Sequence, residues 1–173
     1  MLPEAFLLSS CAKPEFVSAY PGRNDNIGKV RRPESVLVVV HTDEPKVLLL
    51  KRKDPFSYWQ SVTGSLDDGE SHADAAKREL FEETGLTDEG ILVDQEVRRV
   101  FEIDPRWLSR YSVGVTKNIE YEWHYRVDTT MDITVNSKEH IDWCWVSIEK
   151  ATELVWSWTN SEALKRLRAS LAS

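Results

Sequence analysis

The chain has 173 residues, with 29 Asp and Glu against 22 Lys and Arg for a formal charge of −7, and with 41% hydrophobic and 10% aromatic residues. That is the composition of one ordinary globular domain, and it excludes a fibrous repeat and a wholly disordered chain. The acidic balance argues against unspecific attraction to nucleic acid or to an anionic membrane, and the longest apolar runs, 36–40 and 47–50, fall far short of the roughly 20 residues a membrane helix needs.

Residues 1–30 contain Pro3, Pro14, Pro21, Gly22 and Gly28 without sustained periodicity, and read as an irregular leader ahead of a single domain at 31–173. The segment Leu8-Ser9-Ser10-Cys11 has the outline of a lipoprotein processing site, but Glu4 stands where a positive charge is expected and the apolar stretch is too short. Cys11 and Cys144 are the only cysteines, so neither a disulfide framework nor a zinc site is expected. A soluble protein of the reducing cytoplasm fits best.

Two β-branched and leucine-rich runs, 35–41 and 46–52, flank the turn Asp43-Glu44-Pro45 and predict a hairpin. A short extended piece follows at 59–62. A helix is predicted over 71–84, with Ser71 and Asp74 spaced as a capping box and Gly85 placed to end it. Strands are predicted at 92–103, 119–127 and 141–146, and helices at 147–155 and 161–171, which makes a mixed α+β layout.

The chemistry-bearing stretch is 64–86, GSLDDGESHADAAKRELFEETGL. Glu79 and Glu83 are i,i+4 neighbours, and Glu82 lies three residues from Glu79, so three carboxylates are expected to converge on one helix face. Like charges this close repel, and a cation that neutralises them explains the grouping better than a solvated surface helix does. Hard oxygen ligands suit Mg²⁺ or Mn²⁺. Ala73, Ala76 and Leu80 form a separate apolar stripe that seats the helix on a sheet, while Arg78 is spaced to pair with Glu82.

Gly64, Glu70, Arg78, Glu79, Glu82, Glu83 and Gly85, with aliphatic Leu80 and Leu86, resemble the Nudix box G-x5-E-x7-R-E-U-x-E-E-x-G-U at every fixed position. With each of the seven fixed residue types used at roughly 5–7%, chance agreement is on the order of 10⁻⁸ or below per starting point. The resemblance implies a Nudix α/β/α sandwich with a mixed sheet, the box forming a loop, a helix and a loop, and divalent-metal-dependent hydrolysis of a nucleoside diphosphate linked to another group. Glu70 and Arg78 are expected to fix the loop and helix by hydrogen bonds, and Gly64 and Gly85 to supply backbone geometry that a side chain would obstruct.

Outside the box, Arg32-Pro33, Trp59-Gln60-Ser61-Val62-Thr63, Phe101-Glu102-Ile103, Arg110-Tyr111, Gly114-Val115-Thr116, Asn118, Glu120, Glu139-His140, Ser157-Trp158 and Asn160 are similar to the bacterial dihydroneopterin triphosphate pyrophosphatase subfamily of folate biosynthesis. That likeness implies Mg²⁺, or Mn²⁺, held by Glu79, Glu83 and Glu139, with Glu82, Glu83 and Glu139 as the catalytic carboxylates and His140 as a hydrogen-bonding group. It implies Arg31 and Arg52 for the phosphates, Thr63 beside the box, Phe101, Glu102, Ile103 and Asp104 for the pterin ring, and Ser157 as a further contact. The implied reaction gives dihydroneopterin monophosphate and pyrophosphate, with side activity on dATP or other nucleoside triphosphates.

Three departures bear on the substrate: the longer leader, Asp104-Pro105 at an otherwise apolar position, and Tyr121-Glu122-Trp123-His124 in place of an apolar strand. A broader nucleoside triphosphate or dinucleoside polyphosphate pyrophosphohydrolase is the alternative enzyme. A non-catalytic Nudix-fold sensor is the alternative of another class, and the intact carboxylate set weighs against it. The partner expected is a small-molecule triphosphate, without nucleic acid or membrane.

Overall fold

The computed structural model describes residues 30–172, so the leader expected over 1–30 lies, apart from Val30, outside the described residues. The chain order is β1 (Glu34–Thr42), β2 (Lys46–Arg52), β3 (Tyr58–Gln60), β4 (Val62–Ser65), α1 (His72–Thr84), β5 (Gly90–Glu102), a 3₁₀ segment (Pro105–Arg110), β6 (Lys117–Val127), β7 (His140–Ser147), α2 (Ile148–Leu154) and α3 (Trp158–Leu171). Among the described residues no helix is long and apolar enough to cross a membrane.

All seven strands join one mixed sheet. β1 is its centre, pairing in parallel with β6 along Glu34–Ile119 to Thr42–Val127, while β5 closes one side antiparallel to β6 and β7 closes the other antiparallel to β2. The β1–β2 hairpin forms as expected, but the two strands meet only at His41 and Val47 before they splay. Into the gap goes the stretch predicted as one extended piece at 59–62. It is two strands, β3 on β2 and β4 on β1, with buried Ser61 between them.

Period-two alternation along the strands divides the core. Val36, Val38, Val40, Leu48 and Leu50 pack with Ala75, Ala76 and Leu80 of α1 on one face, whereas Leu37, Val39, Val47 and Leu49 pack with Ile148, Ala151, Ala163, Leu164 and Leu167 of α2 and α3 on the other. The result is the α+β sandwich with a mixed sheet that the sequence implied. Near-continuous aliphatic runs in β1 and β2 follow from this, since both faces of each strand are covered.

Ser71 caps α1 by accepting from the Asp74 amide at 3.1 Å, and Gly85 ends the helix at φ 75° with its amide bonded to Phe81. α3 begins three residues earlier than predicted, because Ser157 caps it through the Asn160 amide. The 3₁₀ segment was not predicted. Asp104 starts it by accepting from the Arg106 amide, and Pro105 supplies a fixed φ at its first position.

Candidate active site

Helix α1 and the loop ahead of it are fastened by one guanidinium. Arg78 donates from Nε and Nη2 to the two oxygens of Glu70 at 2.8 Å each, from Nη2 to the Ser65 carbonyl at 3.0 Å, and from Nη1 to Glu79 at 2.6 Å. Its pKa is held above the usual arginine value by these carboxylates despite burial. Glu70 also takes the Asp67 amide at 2.8 Å, and Arg78's hydrogen bonds hold its carboxyl below the usual range. Arg32 adds a second fastening through the Glu70 and Asp67 carbonyls at 3.0 and 3.3 Å. Glu70 and Arg78 thus tie the loop at 65–70 to helix α1 through charge-assisted hydrogen bonds.

The fixed glycines act differently from each other. Gly85 needs its left-handed backbone, but Gly64 does not adopt positive φ. A Cβ at Gly64 would instead sit 1.8 Å from Cδ of Glu79, so glycine there clears the space that the Glu79 carboxylate fills.

Glu79 and Glu83 both turn inward, 6% and 2% exposed. Burial, with the Glu83 charge adding to it, pushes the Glu79 carboxyl up to about 8. Burial raises Glu83 as well, by more than its neighbours His140 and Arg52 pull it down. Glu82 does not complete the convergence predicted for the three: it stops at the rim, with a side chain 41% exposed, and pairs with Arg78 at 3.3 Å.

What meets Glu83 comes from the far end of the chain. Glu139, in the loop before β7, and His140, at the start of β7, place one ligand atom each within 4.8 Å of one another and of Glu83. His140 is 1% exposed, and its Nε2 stands 3.2 Å from Glu83 Oε1 without hydrogen-bond alignment. Arg52 crosses the same space, donating to Glu139 Oε2 at 2.8 Å and lying 4.0 Å from Glu83 Oε1. Burial would lower the Arg52 pKa, but the two carboxylates outweigh that and raise it. The backbone amide of Thr63 donates to the other oxygen of Glu83 at 3.3 Å.

This donor set fits a hard divalent cation. Carboxylate oxygens are the right ligands, and two buried, upward-shifted carboxyls are what a like-charged pair shows when only protons are available to neutralise it. Among the described residues Glu83 Oε1 accepts no aligned hydrogen bond, which leaves a lone pair for such an ion. His140 joins Glu83 and Glu139 in this group, and its adjacency to Glu139 was the sequence signal.

The remaining predicted residues are dispersed. Arg31 is exposed and joined through its backbone amide to the Arg110 carbonyl at the end of the 3₁₀ segment. Phe101 is half-buried, Glu102 projects outward beside Lys117 at 3.5 Å, and Ile103 is buried. Asp104 is committed to Arg106, bonding Nε at 2.8 Å and Nη2 at 2.6 Å, and that hydrogen-bonded pairing holds its carboxyl down at about 2. Ser157 caps α3 and contacts Thr159 at 3.2 Å. None of these touches the carboxylate group directly.

Comparison with known proteins bears on the site as a whole. A family profile described as NUDIX domain matches residues 31–167. The dihydroneopterin triphosphate diphosphatase of Haemophilus influenzae is 39% identical over 137 residues, covering 77% of this chain and 85% of that protein. The Escherichia coli K12 protein of the same name is 35% identical over 140 residues, covering 79% and 92%. In three dimensions the chain is similar to the solved E. coli dihydroneopterin triphosphate pyrophosphohydrolase, with a TM-score of 0.74 at 35% identity over 79% of this chain and 95% of that one.

Proposed function

The chain belongs to the NUDIX domain family, and from that membership we propose that it is a Mg²⁺-dependent pyrophosphohydrolase converting dihydroneopterin triphosphate and water to dihydroneopterin monophosphate and pyrophosphate. The observation that carries the hydrolytic part is the meeting of buried Glu83 with Glu139 and His140 beneath Arg52. The pterin part is supported by the names of the relatives that match most of the chain.

Glu79, Glu83 and Glu139 would hold the ion, with Arg78 orienting Glu79 and the Thr63 amide orienting Glu83. A divalent cation bound there neutralises phosphate oxygens and lowers the pKa of an attacking water. Arg52, once its carboxylates are engaged, is placed to draw in the triphosphate, and exposed Arg31, held to Arg110 through its backbone, would add a second cation for the phosphates. The water oxygen forms a bond to phosphorus, the anhydride bond between the α and β phosphorus breaks, and pyrophosphate leaves with that electron pair. Glu139, on a loop with its side chain 44% exposed and paired with Arg52, would serve as ligand to the ion or as the base that takes the water's proton. Glu82 at the rim would serve through Arg78.

The test is product analysis with Mg²⁺ on dihydroneopterin triphosphate beside dATP at equal concentration. Pyrophosphate with a strong pterin preference is expected, and equal or reversed preference overturns the pterin assignment. In the Glu83→Gln variant, kcat should fall by at least about 10²-fold with the fold retained, checked by circular dichroism. Retained metal-dependent turnover would overturn the ligand assignment.

A further inference from the structure

Four aromatic side chains gather beside the carboxylate site without serving either hydrophobic core. Phe56, Tyr58, Trp107 and Trp156 come from the loop after β2, from β3, from the 3₁₀ segment and from the turn between α2 and α3, and none belongs to the clusters packed on the two sheet faces. Trp156 is the hub: its ring centroid lies 5.5 Å from Phe56, 5.3 Å from Tyr58 and 5.5 Å from Trp107. Yet it is 44% exposed, so it presents open ring surface to solvent. Over this nest lies Arg106, its guanidinium carbon 4.4 Å from the Phe56 ring, 5.5 Å from Trp107 and 5.6 Å from Trp156. Asp104 holds it in place through Nε and Nη2.

The nest is continuous with the site of hydrolysis. Tyr58 is the cross-strand partner of Arg52, about 5 Å away across the β2–β3 ladder, and Arg52 is the cation on Glu83 and Glu139. The Trp156 amide is pinned to the Trp59 carbonyl at 3.1 Å, which fixes the hub against the same strand. Moving outward from the carboxylates, a ligand therefore meets a cation, then a phenol, then rings packed edge-to-face and tilted under a second cation. That is the order of a triphosphate, a linker and a flat heteroaromatic ring.

We propose that Phe56, Tyr58, Trp107 and Trp156, with Arg106 over them, form the binding site for the heteroaromatic ring of the triphosphate substrate. The ring stacks on the open face of Trp156, and Arg106 offers N–H donors to the carbonyl or ring nitrogen that purines and pterins share. This assigns ring recognition to the nest, with Asp104 acting by positioning Arg106 instead of touching the ring. It also gives Asp104, the departure from an apolar position, a use.

The inference rests on a ring-bearing triphosphate as substrate, and it is tested independently of which ring. KM is measured for dATP and for dihydroneopterin triphosphate, alongside the inhibition constant of inorganic tripolyphosphate, which has phosphates and no ring. In Trp156→Ala, KM for dATP should rise by about tenfold or more relative to that inhibition constant, and Trp156→Phe should recover most of the loss. Parallel rises in both constants, or no rise in either, overturn the ring site. If dihydroneopterin triphosphate is not a substrate while dATP shows the expected split, the pterin assignment fails and the ring site stands.

Discussion

Gly64 shows how a single missing atom can shape an active site. Its backbone is unremarkable in φ, and its purpose is the room it leaves for the Glu79 carboxylate. Gly64→Ala should fold, because the clashing atoms belong to the end of a flexible side chain, but Glu79 must swing away from Glu83. Mg²⁺ affinity should fall about 10-fold or more, read by titration, with a stability loss of about 1–3 kcal/mol. Gly85→Ala provides the contrast. It forces an alanine to φ 75° at the end of α1 and should cost about 1 kcal/mol, seen as a lower Tm, with Mg²⁺ affinity little changed. The sequence motif treats the two glycines alike, and only the coordinates separate a requirement for space from one for backbone conformation.

At the scale of elements, the site depends on the wedge that β3 and β4 drive between β1 and β2. Ser61 at the tip is fully buried and is held by one side chain from the opposite layer: Asn160 of α3 accepts from the Ser61 amide at 2.8 Å and donates to its hydroxyl at 2.9 Å. Asn160→Ala leaves a buried amide without its acceptor and should destabilise by about 1–3 kcal/mol, read as a lower urea midpoint with an unchanged slope. KM should rise too, since Tyr58 and Thr63 flank the joint. α1 was legible from short-range signals, Ser71, Asp74 and Gly85 among them, and β2 from its aliphatic run. The wedge was not, because it is written in pairings between residues far apart in the chain. Asn160 was visible as a residue of interest without any hint of its partner 99 positions away. The 3₁₀ segment was missed because Asp104-Pro105 reads equally well as a turn.

Across the whole molecule, the two faces of the sheet bury charge in different ways. On the α1 face Glu79 and Glu83 form the buried carboxylate pair proposed above to hold a cation, whereas on the α3 face β6 carries Glu120, Glu122 and His124 into a layer closed by protein groups alone among the described residues. Glu122 bonds Arg99 at 2.6 Å and His124 at 2.9 Å, and these bonds hold its carboxyl below the usual range against the opposing effect of burial. Glu120 is less well served: burial pushes it up to about 7, more than the Thr159 hydroxyl and Arg99 pull it down. Between the ordinary 4.5 and about 7 the folded state therefore holds a proton that the unfolded state has released. By linkage, Glu120's contribution is fully present below about 4.5 and is lost as pH rises through about 7, a difference of about 3 kcal/mol. Glu120→Gln removes that titration. The variant should gain in Tm relative to the parent as pH rises from 5 to 8, and scanning calorimetry of both proteins at each pH reads the change directly. A constant difference across that range would mean that Glu120 stays ionised in the fold. The charges that replace an apolar strand at Glu122 and His124 then acquire a physical reading: they are paired internally beneath α3, on the face of the sheet away from α1.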